Sequence, residues 1–68
     1  MATQRVASTC ITFVDYDFDR QTLRLQYSTG TWYVYHGVPN YVYVGLMQAP
    51  SKGRYVNAVI KTYPFSRG

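Results

Sequence analysis

The sequence predicts an α+β domain: a three-stranded antiparallel meander sheet followed by two helices packed on one face. Three observations predict it. Leu23 to Tyr27 alternates apolar and polar residues with the period of a strand. Ser28-Thr29-Gly30 then offers a turn before a second such run, from Thr31 to His36. After Gly37 the period changes, and Val38, Val42, Leu46 and Ala49 fall on one stripe of a helix. Strands followed by helices indicate α+β. At 68 residues the chain is one domain, residues 1–68. A domain near this size buries only about 60% of the surface its unfolded chain exposes, so modest stability is expected.

Residues 1–7 are mostly polar and are expected to fray, as are residues 66–68. Ser8 to Tyr16 is rich in β-branched and aromatic residues and reads as the first strand. Its alternation breaks: Ile11 and Phe13 share one parity, Val14 and Tyr16 the other. A bulge, or burial on both faces, accounts for that. Asp17 to Thr22 reads as a turn. Asp15, Asp17 and Asp19 have the spacing that opens a calcium loop, but Arg20 stands where that loop needs Gly and Gln26 where it needs Glu. Turn chemistry is the reading adopted.

A two-residue Thr29-Gly30 loop would force a β-branched residue to positive φ. A three-residue loop with Gly30 left-handed avoids this and fixes the register. Thr31 then faces Tyr27, Tyr33 faces Leu25, and Tyr35 faces Leu23. Leu23, Leu25, Tyr27, Tyr33 and Tyr35 share the face turned to the helices. Arg24, Gln26, Trp32, Val34 and His36 share the other, as a partly apolar surface that marks an interface.

Pro39 suits the first turn of the next helix. The β-branched and aromatic residues from Tyr41 to Val44 would also suit a strand, but the helical stripe continues to Ala49. Pro50 separates this helix from a second, Ser51 to about Thr62, which Tyr63-Pro64-Phe65 stops.

Seven Lys and Arg oppose three Asp, with no Glu, for a formal charge of +4. That balance favours polyanionic partners. Eight Tyr, three Phe and one Trp suit base stacking or protein interfaces, and also help a small core bury enough area. With Cys10 alone there is no internal disulfide, which fits a reducing, cytoplasmic setting. The first residues lack the apolar run of a signal peptide, and no stretch approaches a membrane span.

The stretch Ser51-Lys52-Gly53-Arg54 is the candidate phosphate site. Ser51 is a good N-cap, Gly53 leaves room for a ligand, and two cations stand in a first turn whose dipole disfavours them. A bound anion would reverse that sign. The plainer alternative is a solvated helix start with Gly53 packed between elements. Ala at both Lys52 and Arg54 is expected to leave folding intact or slightly improved.

The chain resembles the KTSC domain, a small module found at the C-terminus of some lysyl-tRNA synthetases and as single-domain bacterial or phage proteins. The resemblance runs from about Ser8 to Phe65. It is carried by Tyr33-Val34-Tyr35, Gly37-Val38-Pro39, Leu46, Ala49, Ser51-Lys52-Gly53-Arg54-Tyr55, Asn57, Ile60 and Tyr63-Pro64. Pro50 and Val59-Ile60-Lys61 depart from the family's more basic pattern, which weakens the carry-over of an extended basic surface. RNA binding has been proposed for the family, so the resemblance implies an RNA partner.

Enzymatic chemistry is poorly supplied. Cys10 and His36 are the only thiol and imidazole, and a nucleophilic dyad needs them in contact with a third, orienting group. One Cys and one His do not make a zinc set. The sequence therefore predicts a non-enzymatic binding module for RNA, another nucleic acid or a phosphorylated nucleotide, with no metal and no cofactor. Ser51, Lys52, Gly53 and Arg54 would hold phosphate; Trp32, His36, Arg24 and Tyr55 would stack or form an interface. The alternative is a protein–protein or self-association module, a homo-oligomer without nucleic acid.

Overall fold

The computed structural model describes residues 2–5 and 10–68. Five strands form one antiparallel sheet in sequential order: β1 (Ala2–Arg5), β2 (Ile11–Asp17), β3 (Thr22–Tyr27), β4 (Trp32–Tyr35) and β5 (Phe65–Arg67). Helices α1 (Asn40–Gln48) and α2 (Lys52–Ala58) and a 3₁₀ turn at Ile60–Thr62 lie between β4 and β5. The α+β meander with two helices on one face is as the sequence predicts; the strand count is not. Four strands precede the helices and a fifth follows them.

Both chain ends therefore need correction. Residues 2–5 pair with β2, from Ala2 opposite Tyr16 to Arg5 opposite Phe13. Residues 65–67 pair with β4, and the Gly68 N–H donates to the Trp32 carbonyl at 3.0 Å. Neither segment carries a periodic apolar pattern, because main-chain pairing rather than core burial recruits an edge strand. The start of the expected first strand, Ser8 and Thr9, lies outside the described residues.

The parity break in β2 is a bulge. Ile11 pairs with Tyr27, but Phe13 already pairs with Gln26. The extra residue lets Ile11, Val14 and Tyr16 all point into the core. The hairpin register is also as expected, with Tyr33 opposite Leu25 and Tyr35 opposite Leu23. Gly30 has φ +92°, and its N–H donates to the Tyr27 carbonyl at 2.8 Å.

One core joins the sheet to the helices. Ile11, Val14, Tyr16, Leu23, Leu25 and Tyr35 of the sheet meet Val38, Val42, Leu46, Val56 and Ile60. The Tyr16 hydroxyl donates to the Val38 carbonyl, pinning the segment that enters α1. α1 follows the predicted stripe. α2 is shorter than the Ser51–Thr62 expected: Val59, at φ −120° and ψ −54°, breaks it before the 3₁₀ turn. A β-branched residue at that junction favours the break.

Candidate functional site

The Ser51–Arg54 stretch begins α2, and each of its residues has a local task. Ser51 is extended, and its side chain accepts from the Arg54 N–H at 3.4 Å. Lys52 turns back toward α1. Its ammonium donates to the carbonyls of Met47 at 3.3 Å and Ala49 at 3.4 Å. Those carbonyls form the negative end of α1, where a cation is favoured. Gly53 faces Cys10: a Cβ there would lie 3.3 Å from the Cys10 sulfur, closer than ordinary contact. Tyr55 crosses to α1, where its hydroxyl donates to the Val42 carbonyl at 2.9 Å. Arg54 alone directs its charge to solvent. The expected imbalance, two cations against one dipole, is thus corrected for Lys52. The preceding helix answers its charge, and removing it should not improve folding.

The residues chosen for stacking lie elsewhere. Trp32 and Arg24 sit on the sheet face away from the helices. The Arg24 guanidinium stands 4.9 Å from the Trp32 ring centroid, and Phe13 stacks beside Trp32 at 6.3 Å and 13° between planes. Arg24 also reaches the buried Asp15 carboxylate at 3.8 Å. His36 follows β4 and meets Ser66 of the last strand at 3.2 Å. Tyr55 is on the helix side. Trp32, Arg24 and His36 therefore stand across the sheet from the phosphate set, whereas Tyr55 lines a shallow cleft of about 370 Å³ with Ser51 and Arg54.

A third place combines rings with a cation. A cleft of about 610 Å³ is lined by Cys10, Tyr27, Ser28, Thr29, Thr31, Tyr33, Tyr35, Lys61 and Phe65. It opens on the helix side, at the hairpin end of the sheet, where α2 and the 3₁₀ turn leave the tyrosines only part-covered. Tyr27 and Tyr33 meet edge-to-face at 5.2 Å. Tyr33 and Phe65 do so at 5.7 Å. The Tyr27 and Tyr35 hydroxyls are 2.9 Å apart. The Arg67 guanidinium lies 5.9 Å from the Tyr33 ring centroid.

Burial, reinforced by the hydrogen bond to Tyr35, pushes the Tyr27 phenol well above its ordinary pKa. Tyr27 therefore keeps its proton at physiological pH. One hydroxyl donates to the other, which leaves one O–H and several lone pairs for a ligand. None of the three Asp lines the cleft, and the one ion pair among the described residues is Asp15–Arg24. Lys61 thus carries an unanswered charge beside a wall of rings. Such a site suits a planar, anionic ligand.

Sequence reasoning places Tyr27, Tyr33 and Tyr35 on the correct face, turned to the helices, without singling out a cleft there. Tyr35 is buried, at 2% exposure, whereas Tyr27 and Tyr33 are half-buried. The available signal was chemical. Three phenols on one face need three polar partners, which a wholly apolar core does not provide. In the sequence Lys61 reads as part of a departure from the family pattern, and Phe65 as part of a helix stop that docks two aromatics.

Other candidates resolve into structure. The Asp17 carboxylate accepts from the N–H groups of Asp19 at 3.0 Å and Arg20 at 3.2 Å, which is turn chemistry. Among the described residues no three His, Cys, Asp or Glu side chains gather as a metal-ligand set. Cys10 adjoins the hairpin, its carbonyl accepting from the Ser28 N–H, while His36 lies beyond the opposite end of β4. Among the described residues no helix is long and apolar enough to cross a membrane.

Comparison with known proteins gives a consistent likeness. The family model of the KTSC domain matches residues 7–65. A protein of Tsukamurella paurometabola is 40% identical over 58 residues, covering 85% of this chain and 87% of its own. An uncharacterized protein of Stutzerimonas stutzeri is 38% identical over 60 residues, covering 85% and 84%. The crystal structure of a KTSC domain protein from Yersinia pestis superposes with a TM-score of 0.95 at 34% identity, covering 98% of this chain and 96% of that one.

Proposed function

The chain belongs to the KTSC domain family, and from that premise we propose that it is a non-enzymatic binding module for RNA, another nucleic acid or a phosphorylated nucleotide. One observation carries the reading. Lys61, which has no ion-pair partner among the described residues, stands at a cleft walled by Tyr27, Tyr33, Tyr35 and Phe65. Rings hold bases by stacking and a cation holds phosphate, so this pairing is what a nucleotide needs. The net charge of +4 adds a favourable long-range field. Arg54, exposed near the start of α2, contributes to that field without lining the cleft of Tyr27, Tyr33 and Tyr35. The exposed thiol of Cys10 fits a reducing cytoplasm.

The test is a salt titration of binding to a short labelled single-stranded RNA. Affinity should fall as salt rises, through counterion release, and Lys61→Ala should reduce the salt slope by about one unit. No binding at low salt, or salt-independent binding, counts against the proposal.

A second reading rests on a different surface. The Phe13–Trp32 stack and Arg24 occupy a sheet face that no helix covers among the described residues. Aromatic residues and Arg anchor protein interfaces. Sedimentation of wild type and Trp32→Ala tests this. A concentration-dependent mass that the substitution abolishes favours self-association.

A further inference from the structure

We infer that the cleft takes one nucleotide unit bearing a terminal phosphate, free or at the end of a single strand, rather than an internal run of a strand or a duplex. This rests on the nucleic-acid reading above and narrows it.

Size is the first argument. Pockets for one small ligand span about 300–1,000 Å³, and the cleft is about 610 Å³. Grooves that track single strands without sequence preference cover about 4–16 nucleotides. A strand held internally would have to leave through both ends of such a groove.

Ring geometry is the second. Successive bases stack on a row of parallel, exposed ring faces. Here Tyr27 and Tyr33 stand at 83° to one another, and Tyr33 and Phe65 at 62°. With Tyr35 and Phe65 tilted at 39° as well, the rings present no row of parallel faces, so a base that stacks on one of them finds no platform for a second. Paired bases in a duplex keep their faces stacked and cannot enter the cleft.

Charge and polarity are the third. Lys61 is the single cation in the lining among the described residues, and Arg67 stands near Tyr33. A terminal phosphate monoester carries about −1.5 to −2 at neutral pH. It concentrates on one point the charge that a run of diesters spreads along a strand, which matches a single lysine. The spare O–H of the Tyr27–Tyr35 pair is left to meet an acceptor on the base edge.

Isothermal titration of the full chain tests the inference with four probes: a nucleoside 5′-monophosphate, the matching nucleoside, single-stranded oligonucleotides of two lengths with and without a 5′-phosphate, and a blunt duplex. Slowed alkylation of Cys10 by iodoacetamide gives an independent readout, since Cys10 is exposed and lines the cleft. Expected results are similar affinities for the monophosphate and both 5′-phosphorylated strands, about tenfold weaker binding without the phosphate or in exposed Lys61→Gln, and slowed alkylation by the monophosphate. If affinity instead grows with strand length and ignores both the terminal phosphate and Lys61→Gln, the one-nucleotide inference is overturned while nucleic-acid binding stands. If no probe binds, both fall.

Discussion

Tyr55 of α2 lies across Gly45 of α1, and any side chain at Gly45 would stand where the Tyr55 hydroxyl is. A Cβ there would collide with that oxygen and sit 3.0 Å from the ring carbon Cζ. In a solvated helix Gly→Ala stabilises by about 0.5–1 kcal/mol. Overpacking costs about 1–3 kcal/mol, and the ring cannot swing away without losing its bond to Val42. Gly45→Ala should therefore destabilise by about 1 kcal/mol in urea unfolding. In a Tyr55→Leu background the same change should be neutral or stabilising. Equal losses in both backgrounds would show that the helix contact does not set the requirement for Gly.

The two cations at the start of α2 should behave differently. Lys52→Ala removes a cation from the carbonyl end of α1 and should cost about 0.3–1 kcal/mol. Arg54→Ala removes an exposed charge with no ion-pair partner among the described residues and should stay within about 0.5 kcal/mol of wild type. Thermal unfolding at low and high salt separates them, because the Lys52 effect shrinks with screening. Identical behaviour of the two variants would remove the capping role.

Alkaline pH should unfold the domain by way of its phenols. Tyr27 has a raised pKa in the fold, chiefly through burial, and Tyr16 is raised by burial and then by Asp17. An unfolded tyrosine ionises near pH 10. Above that pH the unfolded chain loses protons that the folded one keeps, so the stability these groups contribute is present below about pH 10 and lost as pH rises. Denaturation midpoints should be level from neutral pH to about 9 and fall beyond. Tyr27→Phe should flatten that fall, at a cost of about 1 kcal/mol for the hydrogen bond to Tyr35. An unchanged alkaline slope in the variant would assign the loss elsewhere.

What the sequence made legible follows from where its information is local. Gly30 and the alternation of Leu23 to Tyr27 specify a hairpin by themselves, so register and facing were readable. The stripe from Val38 to Ala49 likewise announces α1. The edge strands were not readable, because Ala2–Arg5 and Phe65–Arg67 are held by main-chain pairs whose partners lie far along the chain. The role of Lys52 was hidden for a related reason. Its local signal, a cation in a first turn, is unfavourable, and only the fold brings the carbonyls of Met47 and Ala49 to it. The cleft depends on Lys61 and Phe65 meeting three tyrosines from a distant hairpin, a juxtaposition no spacing rule contains.

The cleft takes one of its walls from the last strand in the chain. Phe65 pairs with Tyr35 across the whole excursion through both helices, and β5 consists of three exposed residues at a sheet edge. Such a strand undocks at a small fraction of the free energy of global unfolding. The Gly68 amide, bonded to the Trp32 carbonyl, should then exchange with deuterium far faster than amides of β3. A ligand seated against Phe65 acts as a clasp on that strand. Its occupancy should be visible as slowed exchange at Gly68, which does not line the cleft, while the centre of the sheet keeps its rate.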